Sequence, residues 1–278
     1  MQFVSNKSGA AVDRLPSLVL SRNNVKIIGE GDITLLFGHG FGCDQTAWRY
    51  LLPFLSDSYK IVLFDYVGSG QSDLSAYNDY RYGTLDGYAM DIIEICKAAG
   101  LDNICFIGHS VSAMIGLLAI KQVPDLFRKA VFIGPSPRYI NDDDYLGGIN
   151  QSDLDDLLEV MDSNYLGWSS MITAAIMGNE NRPHLADQLN ESFCATHPEI
   201  ARKFARVAFQ ADNRADLQYL TIPSLTIQCF QDYLTSEYIA QYINQHTVNN
   251  KVVMLSSSGH CPHMSDPQAV SEAIRLFI

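Results

Sequence analysis

The sequence has few basic residues and no long apolar run. The 278 residues include 19 lysines and arginines against 31 aspartates and glutamates, which gives a formal net charge of −12. A surface of this sign repels phosphate groups, so we expect neither nucleic acid nor anionic lipid as a partner. No stretch approaches the roughly 20 apolar residues that a membrane-spanning helix needs, so no membrane segment is expected.

The cysteines and histidines are not spaced for metal binding. None of the six cysteines forms a C-x-x-C pair, and cysteine and histidine do not pair at the spacing of zinc ligands. We therefore expect no metal and no cofactor. The first residues lack the positive start and the apolar region of a secretory signal. We expect reduced thiols, a cytoplasmic location, and an N-terminal extension over residues 1–16.

Short apolar runs typical of buried strands alternate with helical patterns along most of the chain. Such alternation predicts an α/β fold with a doubly wound, mostly parallel sheet, here of eight strands. The first two or three strands are expected to be antiparallel. The predicted strands cover residues 17–21, 25–29, 33–37, 61–66, 103–107, 130–133, 224–229 and 252–255.

The alternation is interrupted between residues 133 and 224, where no strand pattern occurs. Helical patterns replace it at residues 153–161, 166–177, 185–194 and 198–211. A helical insertion after a late strand would lie over the carboxyl edge of the sheet, so we interpret it as a lid. The predicted division is a core of residues 17–134 and 221–278, with a lid of residues 135–220.

The segment 108–112, GHSVS, lies between a predicted strand and a predicted helix. A serine on such a turn is the nucleophile elbow of the α/β-hydrolase fold, which makes Ser110 the candidate nucleophile. The N–H of Val111 would face a developing oxyanion, and the N–H of Phe41 in the loop after the third strand would be the second donor. Ser112 replaces the last glycine of G-x-S-x-G, and we expect its extra atoms to crowd the elbow. The alternative is an ordinary turn with a capping serine.

A serine nucleophile needs a base, and the base needs a group that orients it. In this fold the chain order is nucleophile, acid, histidine. His260 follows the last predicted strand through a glycine turn, and His263 is the rival base. Asp232 is the one carboxylate in the turn after residues 224–229, although it could instead order that turn or cap the next helix. The sequence therefore predicts a triad of Ser110, Asp232 and His260.

The predicted lid is rich in aromatic residues and methionine, which suits a closed pocket for a small apolar ester or lactone. Simple packing between lid helices is the alternative explanation for most of these side chains. The residues predicted to bind substrate are His109, Tyr139, Trp168, Phe193 and Phe209.

Five further segments carry a family resemblance: 41–45 (FGCDQ), 63–70 (LFDYVGSG), 84–89 (TLDGYA), 134–139 (GPSPRY) and 259–267 (GHCPHMSDP). They resemble the RsbQ family of bacterial stress-signalling α/β-hydrolases, regulators of the sigma-B response that are similar to the plant receptors for strigolactones and karrikins. The resemblance implies a four-helix lid, a closed hydrophobic pocket and the triad with Phe41 and Val111 as oxyanion donors. It also implies slow hydrolysis and a signalling role with a PAS-domain phosphatase as partner.

Two functional hypotheses follow. The first is a serine hydrolase for a small apolar ester or lactone. The second is a ligand receptor on a hydrolase fold, with a slow or inactive triad and a surface that recruits a protein partner. The turnover rate separates them, because a metabolic enzyme reaches roughly 1–1000 per second on its own substrate.

Overall fold

Seven strands form one sheet in the computed structural model, which describes residues 14–278. The strands are β1 (Lys26–Ile28), β2 (Thr34–Gly38), β3 (Lys60–Leu63), β4 (Ile104–His109), β5 (Phe127–Ile133), β6 (Ser224–Gln231) and β7 (Asn250–Ser258). Their order across the sheet is β1-β3-β2-β4-β5-β6-β7. β1 pairs antiparallel with β3, and each of the other pairs is parallel.

The predicted strand at residues 17–21 is wrong, so the described sheet has seven strands instead of eight, and one of them instead of two or three is antiparallel. Those residues belong to a helix, α1 (Arg14–Arg22). The helical conformation packs Val19 against the main core and brings Arg22 within 3.1 Å of the buried carboxylate of Asp91. Residues 1–13 of the predicted N-terminal extension lie outside the described residues.

The sheet is covered by helices on both faces. In chain order after α1 these helices are α2 (Asp79–Tyr82), α3 (Leu85–Ala98), α4 (Val111–Gln122), α5 (Gln151–Ser163), α6 (Tyr165–Met177), α7 (Pro183–Ala195), α8 (Pro198–Phe209), α9 (Glu237–Gln245), α10 (Pro262–Ser265) and α11 (Pro267–Phe277). Side chains alternate along each strand, so Leu36 and Phe106 pack with α3 and α4 while Phe37 and Ile107 pack with Trp48 on the opposite face.

Four helices, α5 to α8, lie between β5 and β6, as the helical patterns predict. Their apolar sides join a separate cluster that includes Trp168, Phe193 and Phe209. The same cluster contains Cys43 and Cys261, which follow β2 and β7. The four helices therefore rest on the loops at the carboxyl end of the sheet. Within residues 14–278 no helix is both long enough and apolar enough to span a membrane.

The strand order places the functional loops together. The chain leaves β2 toward β3 on one side and returns to β4 on the other, so the order reverses between β2 and β4. In an open α/β sheet, ligands bind outside the carboxyl ends of the strands at such a point. Gly38 at the end of β2 pairs with Gly108 near the end of β4, so the loops that follow these two strands start side by side.

Candidate active site

Ser110 occupies a strained turn between β4 and α4. Its backbone angles are φ 56° and ψ −123°, a conformation that residues other than glycine rarely adopt. Two hydrogen bonds stabilise this conformation. The Ser110 N–H donates to the carbonyl of Ile133 at 2.8 Å, and the N–H of Ala113 donates to the Ser110 carbonyl at 2.9 Å. The turn directs Oγ of Ser110 away from the sheet, as a nucleophile elbow does.

A continuous hydrogen-bond path joins the three side chains of the predicted triad. Nε2 of His260 lies 2.8 Å from Oγ of Ser110, and Nδ1 of His260 lies 2.9 Å from Oδ2 of Asp232. Because the carboxylate accepts, the proton of the neutral ring sits on Nδ1, and Nε2 is free to accept the serine proton. These three residues follow the carboxyl ends of β4, β6 and β7, so they meet at one edge of the sheet.

Asp232 is fixed by neighbours as well as by His260. Oδ1 accepts the N–H of Leu234 at 2.8 Å, while Oδ2 accepts the hydroxyl of Thr235 at 2.8 Å and the amide of Gln228 at 3.1 Å. Burial alone would raise the pKa of Asp232, but the electrostatic interaction with His260 and the hydrogen bonds from His260, Leu234 and Thr235 outweigh it. The pKa of Asp232 therefore lies below its ordinary value, and the group is ionised at neutral pH.

The backbone N–H groups of Phe41, in the turn after β2, and of Val111, the first residue of α4, have no acceptor among the described residues. The turn after β2 passes directly over the elbow. A β-carbon at Gly40 would lie 2.5 Å from Nδ1 of His109 and 3.6 Å from Cβ of Ser110. Glycine is therefore favoured at residue 40, and the turn that carries Phe41 lies against the elbow.

The expected crowding at Ser112 is not what the structure shows. The Ser112 hydroxyl is fully buried and hydrogen-bonds to the carbonyl of His39, with the Tyr66 hydroxyl 3.0 Å from its oxygen. The close approach of strand and helix is instead permitted by Gly108 and Gly116. A β-carbon at Gly108 would lie 2.7 Å from the Ser112 carbonyl oxygen, and one at Gly116 would lie 2.1 Å from a neighbouring ring.

His263, the rival base, does not take part in the hydrogen-bond path. Its ring lies 4.7 Å from that of Trp48 and 4.4 Å from that of His109, measured between centroids. Neither ring nitrogen has a hydrogen-bond partner among residues 14–278. The side chain is fully buried, and this burial lowers its pKa to about 3, so His263 is a neutral packing residue.

The cavity beside Ser110 is small and apolar. Its free volume is about 20 Å³, and Phe41 forms part of its wall. The Phe41 ring makes edge contacts with lid rings, at 5.5 Å from Phe193 and 5.8 Å from Phe209. A second cavity of about 190 Å³ lies beyond Tyr139, Phe209 and Leu234, which line both spaces.

Comparison with known proteins places this arrangement in a family. Residues 35–273 match the group described as the alpha/beta hydrolase family. The chain belongs to the alpha/beta hydrolase family. No group of three or more histidine, cysteine, aspartate or glutamate side chains within the described part of this hydrolase is placed to hold a metal ion.

The hydrolase is similar over nearly its whole length to a plant receptor, a plant esterase and a further hydrolase of solved structure. A karrikin insensitive 2 receptor of Petunia hybrida is 38% identical over 254 residues, which cover 91% of this chain and 94% of the receptor. A strigolactone esterase of Arabidopsis thaliana is 33% identical over 258 residues, 92% of this chain and 96% of that protein. The solved structure of a hydrolase from Oleispira antarctica has a TM-score of 0.92 and 40% identity, with 94% and 96% of the two chains covered.

The lining of the hydrolase pocket differs in part from the prediction. His109, Tyr139, Phe193 and Phe209 line the cavity. Trp168 does not: it lies behind Phe41 and Phe193, at 6.3 Å and 6.1 Å between ring centroids. Six lining residues had no recognisable signal in the sequence beyond their position near the triad or in the lid, namely Cys43, Ile176, Leu189, Ala208, Leu234 and Cys261.

Proposed function

We propose that this hydrolase cleaves a small apolar ester or lactone with Ser110 as nucleophile, His260 as general base and Asp232 as the group that orients the base. One observation carries the proposal. The path from Ser110 through His260 to Asp232, at 2.8 Å and 2.9 Å, opens into an enclosed apolar cavity. Such a path converts a poorly nucleophilic hydroxyl into a reactive one.

The reaction begins when Oγ of Ser110 attacks the ester carbonyl and its proton moves to Nε2 of His260. The charge on the imidazolium is stabilised by Asp232, which stays ionised because its pKa is lowered. The C–O bond of the tetrahedral intermediate then breaks, and His260 returns the proton to the departing alkoxide. An acyl group remains on Ser110, and water activated by His260 releases it as the acid.

The negative oxygen of the tetrahedral intermediate is stabilised by the N–H groups of Phe41 and Val111. Both are free to donate, and the Val111 N–H lies at the N-terminus of α4, whose dipole favours negative charge. In a lactone the departing alkoxide stays attached to the acyl group, so one molecule of product leaves after water attack.

The two cavities favour a substrate with two compact apolar parts. The space beside Ser110 holds the reacting carbonyl, and the larger space beyond Tyr139, Phe209 and Leu234 receives the second part. The side chains of these three residues lie between the two spaces. No aspartate, glutamate, lysine or arginine is among the residues that line either space, so a charged substrate would be poorly solvated there.

The alternative function is a slow, RsbQ-type signalling receptor in the cytoplasm, in which the triad holds or slowly cleaves its ligand and a phosphatase-type regulator binds the protein. Three observations favour it. The motif resemblance points to the RsbQ family, and relatives more than 30% identical are named as a karrikin insensitive 2 receptor and a strigolactone esterase. A narrow, lid-covered cavity also suits ligand retention better than rapid exchange.

Turnover of nitrophenyl esters from acetate to hexanoate tests the proposal. Hydrolysis by the wild-type chain that disappears in Ser110→Ala, with an unchanged circular dichroism spectrum, supports the nucleophile assignment. Equal activity of the two proteins would refute it. A turnover number above about 1 per second on a small ester or lactone favours the enzyme, whereas a far lower number with tight retention of ligand favours the receptor.

A further inference from the structure

The elbow carries a hydroxyl that the reaction itself does not use. Ser112 stands two residues after Ser110, in the first turn of α4, with its side chain fully buried. Its Oγ faces the loop after β2, on the side away from the cavity. It hydrogen-bonds to the carbonyl of His39, which is 73 residues earlier in the chain. A glycine at residue 112 could not make this connection.

The loop held by this hydrogen bond is the one that carries the Phe41 N–H. The ring of His39 in this loop makes two further hydrogen bonds. Its Nδ1–H donates to the carbonyl of Gly40 at 2.9 Å, and Nε2 accepts the N–H of Tyr66 at 3.2 Å. Burial lowers the pKa of His39, so the ring stays neutral and can donate through Nδ1 while it accepts through Nε2. The bond from Ser112 adds an anchor on the His39 main chain.

Neighbouring residues provide the space and a second partner for the Ser112 hydroxyl. The Tyr66 hydroxyl lies 3.0 Å from its oxygen, and burial keeps the pKa of Tyr66 far above its ordinary value. A β-carbon at Gly38 would lie 2.8 Å from the Tyr66 hydroxyl and 3.1 Å from Oγ of Ser112. The absence of a side chain at residue 38 therefore accommodates the hydroxyl at residue 112.

We infer that Ser112 is a positioning residue that fixes the two oxyanion donors relative to each other. The Val111 N–H is on the adjacent residue of α4, and the Phe41 N–H is two residues beyond the carbonyl that Ser112 holds. One buried hydroxyl thus ties the elbow to the opposing loop. The inference rests on the proposed function, since it assigns these N–H groups to an oxyanion. A displacement near 1 Å at such a site costs up to about 100-fold in rate.

The test compares two deletions of a buried serine hydroxyl. Ser112→Ala removes the bond to His39, and Ser271→Ala is the matched control. Ser271 is also buried, and its hydroxyl donates to a backbone carbonyl, that of Gln268, at 2.8 Å in α11. Both variants lose a buried hydrogen bond to a backbone carbonyl, and Ser112→Ala also loses the contact with the Tyr66 hydroxyl, so both should lower the melting temperature. Tyr66→Phe removes the second partner while leaving the bond from Ser112 to His39 in place.

Ser112→Ala should lower kcat for nitrophenyl acetate by about 10- to 100-fold with KM within about twofold, because the missing contact acts on the transition state. The affinity for a phenylboronic acid, whose adduct on Ser110 places an oxygen between the two donors, should fall by a similar factor. Tyr66→Phe should have a smaller effect, and Ser271→Ala should change neither quantity. A Ser112→Ala variant that loses stability like Ser271→Ala but keeps kcat within twofold would overturn the inference.

Hydrogen exchange measured by mass spectrometry on the peptide that contains residues 38–42 separates this inference from the proposed function. Ser112→Ala should exchange several times faster there than the wild type, and Ser271→Ala should not. If the wild type showed no turnover that depends on Ser110, the proposed function would fail. The exchange comparison would still decide whether Ser112 holds the loop, and unchanged exchange in Ser112→Ala would refute that role.

Discussion

Nε2 of His109 lies 2.9 Å from the backbone carbonyl oxygen of His260, so the residue before the nucleophile is bonded to the main chain of the base. The carbonyl only accepts, which puts the ring proton of His109 on Nε2. Burial, with smaller contributions from His263 and His260, holds the pKa of His109 well below its ordinary value, and the ring stays neutral. The elbow and the base loop are therefore held together independently of the bond between Ser110 and His260.

We predict that His109→Leu lowers kcat for a small ester by about tenfold, because the His260 loop loses its link to the elbow. His109→Gln keeps an amide donor of similar reach and should recover part of the loss. Steady-state kinetics on both variants provides the check. If His109→Leu matches the wild type in kcat, the bond to His260 has no part in positioning the base.

Asp232→Asn should lower kcat by up to about 10⁴-fold, since an amide that donates to Nδ1 stabilises the wrong tautomer of His260. The fold should be retained because the backbone N–H groups of Leu234 and Thr235, which both donate to Oδ1 at 2.8 Å and 3.2 Å, can still donate to the amide oxygen. His263→Ala is the comparison. It should lower stability and leave most of the activity, and the reverse ranking of the two variants would contradict the choice of base and acid.

Because His263 is buried and neutral, the free energy of unfolding should fall as the pH decreases below about 6.5. Its folded-state pKa of about 3 is below the ordinary value of 6.5, so the unfolded chain binds the proton first as pH falls. The stabilisation is complete above pH 6.5 and is lost between pH 6.5 and 3, by about 1.4 kcal/mol for each pH unit. His263→Phe keeps a ring against Trp48 and should reduce the slope in urea titrations between pH 7 and 5, while buried His39 and His109, whose pKa values are also lowered, still contribute to it. An unchanged slope would count against the assignment.

Trp168 and Phe193 should respond differently to truncation. Trp168 is 1% exposed and lies behind the cavity wall, so Trp168→Ala should cost about 3–5 kcal/mol of unfolding free energy with little change in KM. Phe193 lines the cavity, and Phe193→Ala should raise kcat/KM for a hexanoate ester relative to acetate by about tenfold. Equal shifts in chain-length preference for the two variants would show that Trp168 also contacts the substrate.

Features whose signal lies within a short stretch of the sequence could be predicted, and features that depend on residues far apart in the chain could not. The strand periodicity and the segment around Ser110 are local patterns, and they were sufficient to predict β1 to β7, the turn at Ser110 and the helices α5 to α8. The apolar run at residues 17–21 was ambiguous, because a short apolar segment fits either a strand or one side of a helix. The ion pair between Arg22 and Asp91, which lies far along the chain, favours the helix α1.

The functions of Ser112 and Trp168 depend on partners far along the chain. The bond from Ser112 spans 73 residues to His39, and no local pattern reports it. The sequence therefore predicts crowding where the structure has an anchor. Similarly, the composition of residues 135–220 indicates many aromatic side chains. The packing of Phe41 among Trp168, Phe193 and Phe209 determines which of these rings faces the cavity.

The central claim is that Ser110 is the nucleophile, and covalent labelling tests it most directly. The protein is treated with an alkyl fluorophosphonate, and the product is examined by intact-mass and peptide mass spectrometry. A single adduct on the peptide containing Ser110 is predicted, absent in Ser110→Ala and formed far more slowly in His260→Ala. No adduct on Ser110 in a protein that still hydrolyses nitrophenyl acetate, or an adduct that persists in Ser110→Ala, would contradict the account.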